Sequence, residues 1–209
     1  MLVASKPPRP GPRIEAWILA GGLGTRLGRD KSRVRLGRLT MPGWIRATAS
    51  QAGLKVRLLR RDEVARCGPL GGILTALRQS RADVLLFLAC DMPFVPASLL
   101  RRLIRSLRAS DPAVMVETNG RVGFPLLLRR AASRSIVELL VTENHYSLQG
   151  LASALTARRL PPGRRQLSSL LNVNSPGDLA HARSLLKRRD SRPPAKIPDA
   201  SLVKARPRR

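Results

Sequence analysis

"DVLLFLACDMPF", residues 83–94, carries the strongest strand signal in the chain. Its first eight residues, 83–90, read as a strand, apolar without a break from Val84 onward. That is the pattern of a strand covered on both faces, as in a parallel sheet. The run ends at Asp91. Pro93 and Pro96 separate this aspartate from "PASLLRRLIRSLRA" (96–109). In that stretch Leu99, Leu100, Leu103, Ile104 and Leu107 fall on one face of a helix and the arginines on the other.

The same alternation of strand and helix runs along the chain. "IEAWILA" (14–20) reads as a buried strand, "GWIRATASQAG" (43–53) as a short helix and "KVRLLR" (55–60) as a strand. "PLGGILTALRQS" (69–80) reads as a helix with proline in its first turn. "AVMVET" (113–118) leads into Asn119-Gly120, a hairpin turn signal, and "RVGFPLLLRR" (121–130) is its partner. Pro125 marks that partner as an edge strand or the site of a bulge. Residues 133–158 read as helical in two pieces. The last helix is "NSPGDLAHARSLLKRR" (174–189), with Ser175 at the N-cap, Pro176 at the first position and Asp178 closing a capping box. Elements in this order imply an α/β fold of three layers with a mostly parallel sheet.

The length of 209 residues suits one domain with a single sizeable core. Residues 1–13 and 190–209 are rich in proline and positive charge and read as disordered basic tails, leaving 14–189 as the domain. Aromatic residues make up 3% of the chain, so the core rests on Leu, Val, Ile and Ala. No apolar run approaches the roughly 20 residues of a membrane span, and the N-terminus has no apolar signal core. The expectation is a cytoplasmic protein. Cys67 and Cys90 stand far apart and form no CxxC pair, which argues against zinc and against a disulfide framework. His145 and His181 have no ligand spacing and read as surface residues.

The formal charge of +26 gives the chain a field that attracts anions. Its arginines are dispersed, and aromatics for base stacking are nearly absent, so solvated basic faces are a better reading than specific nucleic-acid binding.

In parallel sheets, ligands bind beyond the carboxyl ends of the strands. Four loops there carry chemistry. After the first strand comes "GGLGTRLGRDK" (21–31). Gly21, Gly22 and Gly24 let backbone N–H groups approach phosphates, and Arg26 and Lys31 add full positive charge. The loop fits neither the P-loop nor the dinucleotide fingerprint, since Arg29 follows Gly28 and Leu27 stands where a third glycine belongs. After the strand at 83–90, Asp91 suits a Mg²⁺ ion shared with substrate phosphates; the competing reading is a cap for the next helix. "GPLGG" (68–72) opens a helix, whose free N–H groups can meet polar or anionic ligand groups. Its glycines can admit a flat base, or for Gly72 simply close packing on the sheet. In "LNVNSP" (171–176), Asn172 and Asn174 lie two apart on an extended segment and point the same way.

Taken in order, "LAGGLGTRLGRDK", "GPLGG", "LACDMPF" and "LNVNSPGDL" resemble the molybdenum cofactor guanylyltransferases of the MobA type, a branch of the nucleotidyltransferases with a Rossmann-like fold. The likeness covers roughly residues 14–189. It implies transfer of GMP from GTP to the terminal phosphate of molybdopterin, with release of pyrophosphate. It implies that Leu19, Ala20, Gly21, Gly22, Gly24, Gly68, Pro69 and Leu70 contact the nucleotide. Lys31 and Arg26 would neutralise its phosphates, Asp91 would hold Mg²⁺, and Asn172 and Asn174 would lie on the acceptor side. Asp62 matches a family aspartate that binds the guanine nucleotide. GTP and molybdopterin are then the partners, with molybdoenzymes or cofactor-insertion proteins as further candidates.

Two departures stand out. Only 36 residues lie between Lys31 and Gly68, so a strand–helix unit of the family, with its nucleotide-binding asparagine, is shortened or lost. Leu27 replaces the family's usual methionine. These keep other readings open: transfer from CTP to the same cofactor or to a sugar phosphate, and a nucleotide- or cofactor-binding protein without turnover.

Overall fold

A computed structural model of the chain describes residues 11–20, 33–64 and 66–190. Within these, the central sheet is built on β1 (Ile14–Leu19), which lies between β4 (Lys55–Leu59) and β5 (Val84–Ala89) and is parallel to both. The sheet continues through β7 (Arg121–Arg129), β6 (Ala113–Thr118) and β8 (Arg158–Leu160), in the order β4-β1-β5-β7-β6-β8. Only β7 runs against the others, pairing antiparallel with β5 and β6. A two-stranded ribbon of β2 (Arg35–Leu36) and β3 (Leu39–Thr40) stands apart.

Alternation along the buried strands sends side chains into two separate cores, one on each face of the sheet. Trp17, Leu19, Leu85 and Phe87 face one side. They pack against α2 (Gly68–Gln79), α4 (Arg130–Thr142) and α5 (Leu148–Ala154). Ala16, Ile18, Leu86 and Leu88 face the other, against α1 (Met41–Gln51) and α3 (Ala97–Ser106). This is the three-layer arrangement that the alternating elements imply. A third, smaller core joins Val34, Leu36, Met41, Phe94 and Val173 to Ala182 and Leu186 of α6 (Pro176–Asp190). It ties the ribbon, the loop after β5 and the last helix into one unit.

Several local expectations hold. Asn119 and Gly120 both take positive φ (51° and 73°), the signature of the tight hairpin turn. At the start of α6, Ser175 Oγ accepts from the Asp178 amide (3.1 Å) and Asp178 Oδ2 accepts from the Ser175 amide (2.8 Å), which is the capping box read from the sequence.

Others are narrowed or shift. Of the two readings of Pro125, an edge strand or a bulge, the bulge holds, since β7 is a central strand. Its proline is accommodated by a bulge: Met115 pairs with Leu126 and Val116 with Gly123, which leaves Phe124 and Pro125 outside the ladder on that side. On the other side, pairing with β5 stops at Leu126, so Pro125 owes no hydrogen bond there either. α1 begins two residues earlier than expected, because Thr40 caps it by accepting from the Gly43 amide (3.2 Å). α3 stops at Ser106 although its apolar pattern continues. Asp111 accepts from the Arg108 amide (2.8 Å) and turns the chain there. The two helical pieces expected over 133–158 are α4 and α5, but the last residue of that range belongs to β8. Of the expected tails at 1–13 and 190–209, residues 1–10 and 191–209 lie outside the described residues, while Asp190 ends α6 and the Arg13 amide donates to Asp83 Oδ2 (2.8 Å).

Candidate active site

The carboxyl ends of β1, β4 and β5 meet at one edge of the sheet. The Ala20 amide donates to the Leu59 carbonyl (2.8 Å) and the Cys90 amide donates to the Leu19 carbonyl (3.1 Å). The ends of all three strands are therefore held side by side. Leu19 is buried in the core, so its side chain secures the edge.

Asp62 follows β4 and lies against the first turns of α2. A Cβ added to Gly72 would sit 3.1 Å from Asp62 Oδ1 and 3.2 Å from the Leu19 side chain. One added to Gly71 would sit 3.3 Å from Asp62 Oδ2 and only 2.7 Å from the Val64 carbonyl. Gly71 and Gly72 of "GPLGG" thus serve close packing, Gly72 against the sheet and Gly71 against the loop that carries the aspartate. Burial raises the Asp62 pKa above its ordinary value, since it disfavours the charged form. Cys67, at the N-cap of α2, makes no side-chain cap bond, and no acidic residue occupies the first turn. Leu70 is wholly buried and its amide donates to the Cys67 carbonyl (3.2 Å). Pro69 and Gly68 are the more accessible members of this turn.

Asp91 follows β5 and is partly exposed, flanked by buried Cys90 and Met92. Its carbonyl accepts from the Val173 amide (2.8 Å). Val173 is fully buried in the small third core, while its neighbours Asn172 and Asn174 are exposed and half-buried. The two asparagines are thereby brought beside the aspartate. The Asn174 amide donates to Asp178 Oδ2 (3.0 Å), so the segment is anchored at the helix cap as well. Three backbone amide and hydroxyl bonds hold the Asp178 carboxyl below its ordinary pKa.

A chain of contacts therefore joins Asp62, Gly72, Leu19, Cys90, Asp91 and Val173. Of the expected site residues, the structure gathers Leu19, Ala20, Asp62, Gly68, Pro69, Leu70, Asp91, Asn172 and Asn174 around one edge. Gly21, Gly22, Gly24, Arg26 and Lys31 lie outside the described residues. The sequence offered no sign of Val173's part, since an isolated valine between asparagines has no periodicity to read.

Asp91 offers one partly exposed carboxylate where β5 ends. Among the described residues no group of three or more His, Cys, Asp or Glu side chains is placed to hold an ion by itself. One carboxylate at an open sheet edge fits Mg²⁺, which keeps waters and takes its remaining ligands from substrate phosphates.

Residues 16–160 match the family model of the MobA-like NTP transferase domain. The chain belongs to the MobA-like NTP transferase family. It is a nucleotidyltransferase. A molybdenum cofactor guanylyltransferase from Cereibacter sphaeroides is 32% identical over 196 residues, covering 84% of this chain and 98% of that protein. Another, from Shewanella loihica, is 32% identical over 134 residues, covering 56% of this chain and 68% of that protein. Among solved structures, molybdopterin-guanine dinucleotide biosynthesis protein A from Archaeoglobus fulgidus has the same fold, with a TM-score of 0.67, 20% identity and coverage of 83% and 99% of the two chains. So does 4-diphosphocytidyl-2C-methyl-D-erythritol synthase from Anaerococcus prevotii, with a TM-score of 0.67, 14% identity and coverage of 86% and 100%. No helix among the described residues is long and apolar enough to cross a membrane.

Proposed function

We propose that this protein transfers GMP from GTP to the terminal phosphate of molybdopterin and releases pyrophosphate, in the cytoplasm. The observation that carries this reading is the bond between the Val173 amide and the Asp91 carbonyl. It brings the segment expected to meet the acceptor beside the aspartate expected to serve the nucleotide phosphates.

Base choice follows from Asp62. An ionised carboxylate only accepts hydrogen bonds. Guanine presents two adjacent donors, its ring N–H and its exocyclic amine, and one carboxylate can take both. Cytosine presents a single donor group followed by two acceptors along the same edge, and a carboxylate would be repelled by the acceptor next to that donor. This favours GTP over CTP, even though the fold is shared with a protein whose name indicates a cytidylyl product.

The reaction needs no strong base. An oxygen of the acceptor phosphate attacks the α-phosphorus of GTP and a new P–O bond forms. The bond from α-phosphorus to the bridging oxygen breaks, and pyrophosphate leaves with that electron pair. The attacking oxygen is already anionic, so positioning and charge neutralisation dominate. Lys31 and Arg26 supply positive charge from the glycine loop, and the basic surface favours capture of both anionic substrates. Asp91 would hold Mg²⁺, which when bound screens the phosphate oxygens and stabilises charge on the leaving pyrophosphate. Asn172 and Asn174 orient the acceptor.

The test is turnover by the purified full chain with Mg²⁺ and carrier-bound molybdopterin, given GTP and CTP in parallel, with the dinucleotide product detected directly. A guanine product from GTP alone is expected. A cytosine product, or none from a folded protein that binds GTP, would overturn the reading.

A further inference from the structure

We propose that Thr75 is a positioning residue for base recognition: its hydroxyl clamps the loop that presents Asp62. The proposal rests on the reading of Asp62 as the base-binding aspartate.

Thr75 lies in α2, fully buried. It is surrounded in the helix by Ile73, Leu74, Ala76 and Leu77, all buried too. A hydroxyl in such surroundings is costly unless its hydrogen-bonding capacity is used. Here it is used twice. Thr75 Oγ1 donates to the Gly71 carbonyl one turn back (2.8 Å), a local bond that threonines commonly make in helices. It also accepts from the Glu63 amide (2.9 Å), twelve residues earlier in the chain. The second bond serves nothing in the helix. It fixes the backbone immediately after Asp62.

The neighbouring contacts act on the same short segment. Asp62 lies against Gly71 and Gly72, the Val64 carbonyl crowds Gly71, and the Glu63 side chain accepts from Gln79 (3.0 Å) and pairs with Arg78 (3.7 Å). Residues 62, 63 and 64 are each held to α2. The Thr75 bond is the hydrogen bond among these that reaches the backbone, and it comes from a fully buried residue. A carboxylate that must meet two base donors at once needs a fixed orientation, because a small misplacement sacrifices one of the two bonds. α2 also opens the "GPLGG" turn, so Thr75 sets the aspartate and that turn in one frame.

The test is equilibrium binding of GTP and ITP to the full chain and its variants. ITP lacks the exocyclic amine and so reports on bidentate recognition. Thr75→Val, which keeps the shape and removes the hydroxyl, is expected to weaken GTP binding about tenfold and to erode the preference for GTP over ITP. Thr75→Ser, which restores the hydroxyl, is expected to bind both as wild type does. Asp62→Asn is expected to lose the preference outright. Wild-type affinity and preference in Thr75→Val, beside a loss in Asp62→Asn, would overturn the role of Thr75 alone. An unchanged preference in Asp62→Asn would overturn the base reading and the clamp with it. Should Thr75→Val fail to fold, amide exchange in the wild type decides: slow exchange at Glu63 with or without GTP supports the clamp, and exchange as fast as an open loop overturns it.

Discussion

The Val173 amide donates to the Asp91 carbonyl at 2.8 Å, and this bond joins the last segment of the domain to the loop after β5. Val173 is fully buried against Leu36, Met41, Phe94, Ala182 and Leu186. Apolar burial of one side chain therefore sets the place of two polar neighbours. Val173→Ala leaves a small void and is expected to cost roughly 1.5–3 kcal/mol, lowering Tm by roughly 4–8 °C. The KM for the acceptor should rise while GTP affinity stays near wild type. Parallel thermal melts and steady-state assays check this. An equal loss of GTP affinity would show that the segment serves the nucleotide instead.

Asp91 and Lys31 are expected to act on charge rather than on folding. Asp91→Ala and Lys31→Ala should each lower kcat by at least about 100-fold, the scale set by removing a preorganised electrostatic contact. Asp91 is partly exposed at the end of its strand, so Tm should change little. Turnover near the wild-type rate in either variant would remove that residue from the catalytic set.

Much of the site was legible because the signals were local. The apolar runs at 14–20 and 83–90 become the neighbouring strands β1 and β5, and the motifs that follow β4 and β5 lie at one edge of the sheet. The capping box at Ser175 and Asp178 is a pattern within four residues. What escaped reading depends on distant partners. β8 is three residues long and holds two arginines, and it is a strand only because β6 pairs with it. Pro125 signalled an edge strand or a bulge, and only the pairing of β7 on both sides decides for the bulge. The bond from Thr75 to Glu63 spans twelve residues and has no periodicity. Gly71 and Gly72 were ambiguous for the same reason: the atoms that exclude a Cβ belong to Val64, Asp62 and Leu19.

Gly71→Ala should be far more damaging than its chemistry suggests. Its Cβ would meet the Val64 carbonyl at 2.7 Å, a backbone atom that cannot rotate away. Relief requires the loop to shift, and Asp62 shifts with it. Destabilisation of roughly 1–3 kcal/mol is expected, together with weakened GTP binding. Gly123→Ala is the matched control, since a Cβ there meets nothing within 4 Å. Denaturant melts and GTP titrations on both variants test the contrast. Equal behaviour of the two would show that the loop has room to give.

Two aspartates should move stability with pH in opposite directions. The folded-state pKa of Asp62 is raised by burial. The unfolded chain then releases this proton first as pH rises, so ionisation of Asp62 costs stability above the folded value and costs nothing below the ordinary value of 3.8. Asp62→Asn cannot ionise. It should melt higher than wild type at pH 7, with the advantage closing as pH falls through the folded value and gone below 3.8, even though it binds GTP poorly. The pKa of Asp178 is lowered, first by the Asn174 amide and then by Ser175. Its contribution is complete above the ordinary value of 3.8 and is lost as pH falls through the folded value. Asp178→Ala should therefore melt lower than wild type at pH 7, and the deficit should shrink in acid. Thermal melts of the three proteins across pH 3–7 read both signs at once. If Asp62→Asn is the less stable at neutral pH, the carboxylate is held by the fold and not merely tolerated, and its burial serves structure before it serves the base.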